Sequence, residues 1–524
     1  MNPMEPSACP GQPDGKIRAH TAQSGGIMLF NSISFLIFFP VVTLVYFLIP
    51  HKIRYLWLLG ASYYFYMCWN PQYALLMATS TLLTYLSGLL IDQANKLEDQ
   101  RKRDFWRKFW VAVSLILNLS ILFFFKYFDF AVDNLNRVLG ALNITLVQPE
   151  FDVILPVGIS FYTFQALSYT MDVYRGDIYV ERNVAKYALF VSFFPQLVAG
   201  PIERSKNLLT QIGQRHTFSF TRARDGLLLM LWGYFQKLVI ADRVAILVNS
   251  VYGTWQHQTG VPLLVATLFF AIQIYCDFAS YSNIAIGAAQ VMGFKLMDNF
   301  DTPYFATSVA GFWRRWHISL TTWFRDYLYI PLGGNRRGKV RHYLNIMIVF
   351  LASGLWHGAS WTFVLWGFFN GAFQVVGSLL KPVRDRLVRL FHIDRSSFSH
   401  KLLKAALTFG LINFTWVFFR ADSIYAAIEI FKRFKNYFYP WMLVDGSLFT
   451  LGLKEPEFYL TLICIGVLFV VSLLKYKGMH IRETLAKQGL WFRWLIYLLA
   501  ILAILNLGVY GPGFDASQFI YFQF

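Results

Sequence analysis

The feature that most constrains this chain is its succession of apolar runs, separated only by short polar connections. The first, residues 30–50, is about long enough to cross a hydrocarbon core of roughly 30 Å at about 1.5 Å of helix per residue. Others cover 55–69, 73–91, 109–127, 154–169, 187–200, 226–251, 261–277, 283–297, 343–356, 361–380, 402–419, 458–474 and 492–510. Several have lengths of about 14 to 17 residues, which suit re-entrant or protein-buried segments better than simple spans. The pattern predicts an all-α polytopic membrane protein with about eleven transmembrane helices plus re-entrant and interfacial ones.

Composition agrees, with 56% hydrophobic and 19% aromatic residues, only 15% charged, and a mean hydropathy of +0.44. A net charge of +18 would suggest nucleic acid as the partner of a soluble protein. Here the basic residues cluster between apolar runs, where they orient loops toward the cytoplasm, so the expected partner is membrane lipid and no nucleic acid. Cys9, Cys68, Cys276 and Cys464 are far apart and lack metal-ligand spacing, so neither a disulfide framework nor a metal site is indicated.

Residues 1–27 are polar, with no apolar h-region and no small-residue cleavage pattern, so they do not read as a signal peptide. They are expected to be a disordered N-terminal extension or the product of an over-called start, with 28–524 forming one membrane domain. Lys96, Arg101, Lys102, Arg103, Arg107 and Lys108 share one connection; Arg336, Arg337, Lys339 and Arg341 share another, and both should be cytoplasmic. A third group, Lys381, Arg384, Arg386 and Arg389, strains a simple alternation of sides. One short segment near His357 is therefore expected not to cross.

The residues that carry chemistry concentrate between Trp313 and His357. Phe312-Trp313-Arg314-Arg315-Trp316-His317-Ile318-Ser319-Leu320 opens this stretch and Gly354-Leu355-Trp356-His357-Gly358-Ala359 closes it. An ionisable side chain at bilayer depth costs at least roughly 2.5 to 3.5 kcal/mol, so such a residue is by default a functional-site hypothesis. If 311–329 is helical, Trp313, Trp316, His317, Leu320, Phe324 and Tyr327 share one face, and Arg314, Thr321 and Arg325 line another. The two histidines, forty residues apart in sequence, could meet through the fold. A histidine in a helix is often only a hydrogen-bonded structural residue; as a functional group it is the natural base for a hydroxyl at neutral pH. Arg314 and Arg315 fit either interface anchors or a clamp for a phosphate-bearing donor.

Other polar groups interrupt the apolar runs. Asp277, beside Cys276, could orient a histidine, pair with an arginine, or simply cap a helix end. Cys276 as an acyl-carrying nucleophile lacks an evident neighbouring base. Leu155-Pro156-Val157-Gly158-Ile159-Ser160-Phe161-Tyr162-Thr163-Phe164-Gln165 and Phe194-Pro195-Gln196-Leu197-Val198-Ala199-Gly200-Pro201 look like broken-helix segments, tolerated at depth where protein or a cavity buries them, and so suggest a tunnel or pore wall.

The Trp-Arg-Arg-Trp-His stretch, Trp323-Phe324-Arg325-Asp326-Tyr327-Leu328-Tyr329-Ile330-Pro331-Leu332-Gly333-Gly334-Asn335, and Leu355-Trp356-His357-Gly358-Ala359 resemble the membrane-bound O-acyltransferase (MBOAT) family, in its bacterial alginate O-acetyltransferase branch. The likeness extends from Met28 through Pro156 to Gln165, Pro195 to Pro201 and Asp277 to Ser282, to the closing Phe519-Ile520-Tyr521-Phe522-Gln523-Phe524. It implies helices ringed around a thinned central funnel in a bacterial cytoplasmic membrane. It also implies His357 as catalytic residue and His317 as its companion, with Trp313, Trp316, Trp356, Arg314, Arg315 and Asp277 as candidates for holding donor or substrate. No bound cofactor is implied; acetyl-coenzyme A or an acyl carrier is the donor substrate. The acceptor is an extracytoplasmic polysaccharide, or a secreted or periplasmic partner acetyltransferase that completes the transfer. D-alanyl transfer to teichoic acid from a carrier protein is the alternative within enzymes, and polysaccharide transport the alternative outside them.

Overall fold

The computed structural model describes residues 28–147, 155–198, 200–510 and Ile520, all of whose regular structure is helical. The expectations for 1–27 and for most of the closing stretch lie outside these residues. Helix is what the solvent demands: without water in the hydrocarbon, each backbone donor and acceptor must be satisfied within its own segment.

Seven described helices are long and apolar enough to cross a membrane: Pro71–Asn95, Gln100–Ala141, Gly260–Met292, Trp361–Leu379, Phe398–Arg420, Glu455–Tyr476 and Leu490–Leu507. Shorter ones, such as Ile33–Leu48 and Arg54–Met67, pack among them, so the expected number of about eleven crossings depends on helices of this shorter kind. The Gly260–Met292 helix is the core of the bundle, with 72% of its most apolar window buried. It packs against Phe220–Tyr234, Asp242–Gly253, Phe398–Arg420 and Ile424–Asn436. Leu490–Leu507 is its opposite, burying only Ile504 and turning its leucines outward as a lipid-facing helix does.

Three elements position the site. Gln100–Ala141, here the long helix, has 42 residues and its start is capped by the Asp99 carboxylate, which accepts from the Arg101 and Lys102 N–H groups. At roughly 63 Å it is twice the thickness of the hydrocarbon. Lys339–His357, the histidine helix, and Trp361–Leu379 form an antiparallel hairpin: Gly354 lies against Phe363, Gly367 against Phe350, and Gly371 against Met347. A Cβ at Gly354 would run into the Phe363 carbonyl, so the small residue is what lets the two backbones approach. The hairpin turns the chain back, so the exposed basic helix Lys381–Leu390 follows at the end of the hairpin where the histidine helix begins. Of the two hairpin helices, Trp361–Leu379 is among the seven long and apolar enough to cross, and Lys339–His357 is not.

Candidate active site

The last carbonyls of any helix lack partners within it. In the histidine helix they are met from the long helix: Tyr127 Oη donates to the Leu355 carbonyl at 2.7 Å, and Lys126 Nζ donates to those of Trp356 at 2.7 Å and His357 at 3.2 Å. Lys126 Nζ also lies 3.4 Å from Ser160 Oγ. His357 is fixed one turn back, its Nδ1 2.6 Å from the Ser353 carbonyl. A carbonyl can only accept, so Nδ1 carries the proton and Nε2 is the basic nitrogen. Trp356, Trp366 and Phe419 surround the ring, with centroids at 5.0, 4.7 and 5.6 Å.

This corner opens on a pocket of about 550 Å³ including the open space at its mouth, lined by Lys126, Trp356, His357 and Val198 and by 155–161. Both broken segments thus contribute to a cavity wall, although Ala199 lies outside the described residues. Gly158 turns the wall at φ +77°, where a Cβ would also sit 2.7 Å from the Leu197 carbonyl oxygen.

His317 approaches from the opposite side. The continuous helix expected over 311–329 is broken: Val309–Trp313 ends, His317 takes a left-handed φ of +44°, and Ile318–Phe324 begins, followed by a π-helical turn at Arg325–Tyr329. Asn299 enforces the break. Its carbonyl accepts from the Ile318 N–H at 3.0 Å, and its side-chain oxygen accepts from Ser319 Oγ at 2.6 Å. The kink turns the imidazole toward Phe278, Phe161 and Trp356, with centroids at 4.6, 6.3 and 5.8 Å. Trp356 touches both histidines, and of the two only His357 lines the pocket.

The other candidates divide. Trp356 lines the pocket. Trp313 donates through Nε1 to Asn370 at 3.1 Å, and Trp316 packs among Phe300, Phe312 and Trp416; both are core residues. The structure turns Arg314 outward, exposed and on the Ala310 carbonyl, and holds Arg315 on Thr302 with its guanidinium over Tyr476; neither lines the pocket. Among the described residues Asp277 partners neither a histidine nor an arginine, and it lies inside the Gly260–Met292 helix, away from that helix's ends. It accepts from Lys237 at 2.7 Å, Lys237 also binds Asp242 at 2.8 Å, and the Ile520 N–H completes the group at 2.7 Å. Cys276 is sealed beside it in the core and does not reach the pocket. Reasoning from sequence missed Lys126, although the rule that flagged the histidines applies to it: a lysine inside the apolar run 109–127, in Phe124-Phe125-Lys126-Tyr127.

The profile of the MBOAT, membrane-bound O-acyltransferase family matches residues 179–421, which include both histidines. A probable alginate O-acetylase (AlgI) of Azotobacter vinelandii is 37% identical over 421 residues, which are 80% of each chain. This chain belongs to the membrane-bound O-acyltransferase family. Within it, a peptidoglycan O-acetyltransferase of Helicobacter pylori is 34% identical over 78% of this chain and 79% of its own. A teichoic acid D-alanyltransferase of Streptococcus thermophilus is 28% identical over 53% and 69% respectively. The protein is a multi-pass membrane O-acyltransferase of the alginate O-acetyltransferase-like branch.

Proposed function

We propose that this O-acyltransferase moves an acetyl group from a cytoplasmic thioester, acetyl-coenzyme A or an acyl carrier, to a hydroxyl on the far side of a bacterial cytoplasmic membrane. The acceptor is a polysaccharide or a secreted or periplasmic transferase that serves one. The observation carrying this reading is the placement of His357 in the pocket wall with Nδ1 held by Ser353. Nε2 then removes the proton from the attacking hydroxyl as its oxygen bonds to the acyl carbon. The carbonyl pair moves onto oxygen; its return breaks the carbon–sulfur bond, and the imidazolium returns the proton to the leaving thiolate. His317, which also contacts Trp356, positions the acyl carbonyl or shares the proton.

The direction of transfer is supported by depth. Lys339 and His357, like Lys108 and Lys126, are eighteen positions apart, roughly 27 Å of helix, so both reach the pocket from basic ends expected in the cytoplasm. Across a core of roughly 30 Å that supports a pocket nearer the extracytoplasmic face. The polymers in the relatives' names, alginate and peptidoglycan, support a polysaccharide acceptor.

The test is base-released ester in envelope and secreted polysaccharide, resolved by NMR, from cells with wild type, His357→Ala or no gene. Acetate should appear with wild type and fall to the no-gene level with His357→Ala while the protein remains inserted. Undiminished acetate in the variant would end the histidine-base reading. Loss of D-alanine in place of acetate would favour the D-alanyl alternative.

A further inference from the structure

Lys126 sits at membrane depth with a partner set unusual for a cation. Among the described residues no carboxylate lies within ion-pairing distance; its ammonium rests on the carbonyls of Trp356 and His357 and on Ser160 Oγ. Those two carbonyls are the negative end of the histidine helix, which favours a cation there. Any neutral donor could meet their hydrogen-bonding needs, but a protonated lysine adds a positive charge. The residue is only partly covered, and it lines the pocket next to His357. Its three contacts are unequal: 2.7 and 3.2 Å to the carbonyls are ordinary hydrogen bonds, whereas 3.4 Å to Ser160 is too long to hold a proton firmly.

We propose that Lys126 is a catalytic residue of the acyl transfer, the anion-stabilising group of the pocket. When the hydroxyl oxygen bonds to the acyl carbon and the carbonyl pair moves onto oxygen, the third N–H of Lys126 leaves Ser160 and donates to that oxyanion. When the pair returns and the carbon–sulfur bond breaks, the N–H goes back to Ser160, so the lysine ends unchanged. A positive group aimed at where negative charge develops stabilises the transition state more than the ground state. The proposal rests on the histidine-base reading for the proton but makes a separate demand on charge.

The experiment compares Lys126→Gln, Lys126→Met and Lys126→Arg with wild type and His357→Ala in full-length protein expressed in cells lacking the gene. The initial rate of acetate-ester accumulation after induction is measured alongside the thermal midpoint of each detergent-extracted variant. Gln and Met should each lower the rate by about 100-fold or more with midpoints near wild type, and Arg, which keeps the charge, should restore the rate to within about tenfold. A Gln variant working at the wild-type rate would show that a neutral donor suffices and would overturn the proposal. Equal loss in Gln and Arg with matching falls in midpoint would reduce Lys126 to a helix cap and overturn it as well. Activity retained by His357→Ala but lost by Lys126→Gln would remove the base reading and leave the lysine standing.

Discussion

Two lysines at membrane depth have opposite surroundings. Lys237 is 1% exposed, clamped between Asp242 and Asp277, on a π-helical turn that feeds its ammonium into the core. Lys126 meets two carbonyls, a hydroxyl and the face of the Trp356 ring, and opens onto a pocket. The first charge is consumed by its partners and ties the Phe235–Ala241 turn to the Gly260–Met292 helix and Ile520. The second keeps its field for whatever enters the pocket. An intramembrane charge is thus a hypothesis whose meaning depends on what the fold sets around it: a carboxylate makes it mortar, a cavity makes it chemistry.

That contrast can be broken most forcefully at Lys237. Lys237→Ala strands two buried carboxylates, at a cost of about 3 to 5 kcal/mol, so detergent-extracted protein should lose its monodisperse peak on size exclusion. The triple variant Lys237→Met, Asp242→Asn, Asp277→Asn, which removes all three charges, should recover most of the lost thermal midpoint. If Lys237→Ala extracts and melts like wild type, Lys237 does not hold the core as described.

Next in size is His317→Asn, a residue that tolerates the left-handed backbone at this position. It should keep the fold while lowering ester accumulation by at least about 100-fold; a rate near wild type would leave His317 a packing residue. Gly354→Leu should force the hairpin apart, at a cost of about 1 to 3 kcal/mol in thermal stability, and should lower transfer by displacing His357. An unchanged midpoint would mean that the close approach is not needed. Smallest of all, Arg314→Ala should stay within about 0.5 kcal/mol in stability and about twofold in ester rate, as an exposed position outside the pocket should. A tenfold loss there would show that the donor reaches the outer side of the Trp-Arg-Arg-Trp-His segment.

Much of this was legible in the chain. Runs of apolar residues dictate helices, since hydrocarbon offers the backbone no other partner, and the two histidine motifs mark the family and the candidate site. The broken segments at Pro156-Val157-Gly158 and Phe194-Pro195 also announced a wall, since helix breakers at depth need a cavity or protein around them. The kink at His317 was not legible: Trp-Arg-Arg-Trp-His has helical periodicity, and the residue that breaks it, Asn299, is reached only through the fold. Nor was the role of Asp277, whose lysine partner lies forty positions away.

The sequence by itself determined the class of the protein, the membrane that surrounds it and the two imidazoles at its centre, because hydrophobicity and local motif are properties of neighbours in the chain. Only the tertiary structure decided which charges face a cavity and which neutralise one another. Lys126 and the neighbouring Trp356 and His357 come from two helices far apart in sequence, and their chemistry lies in distances that no local pattern encodes.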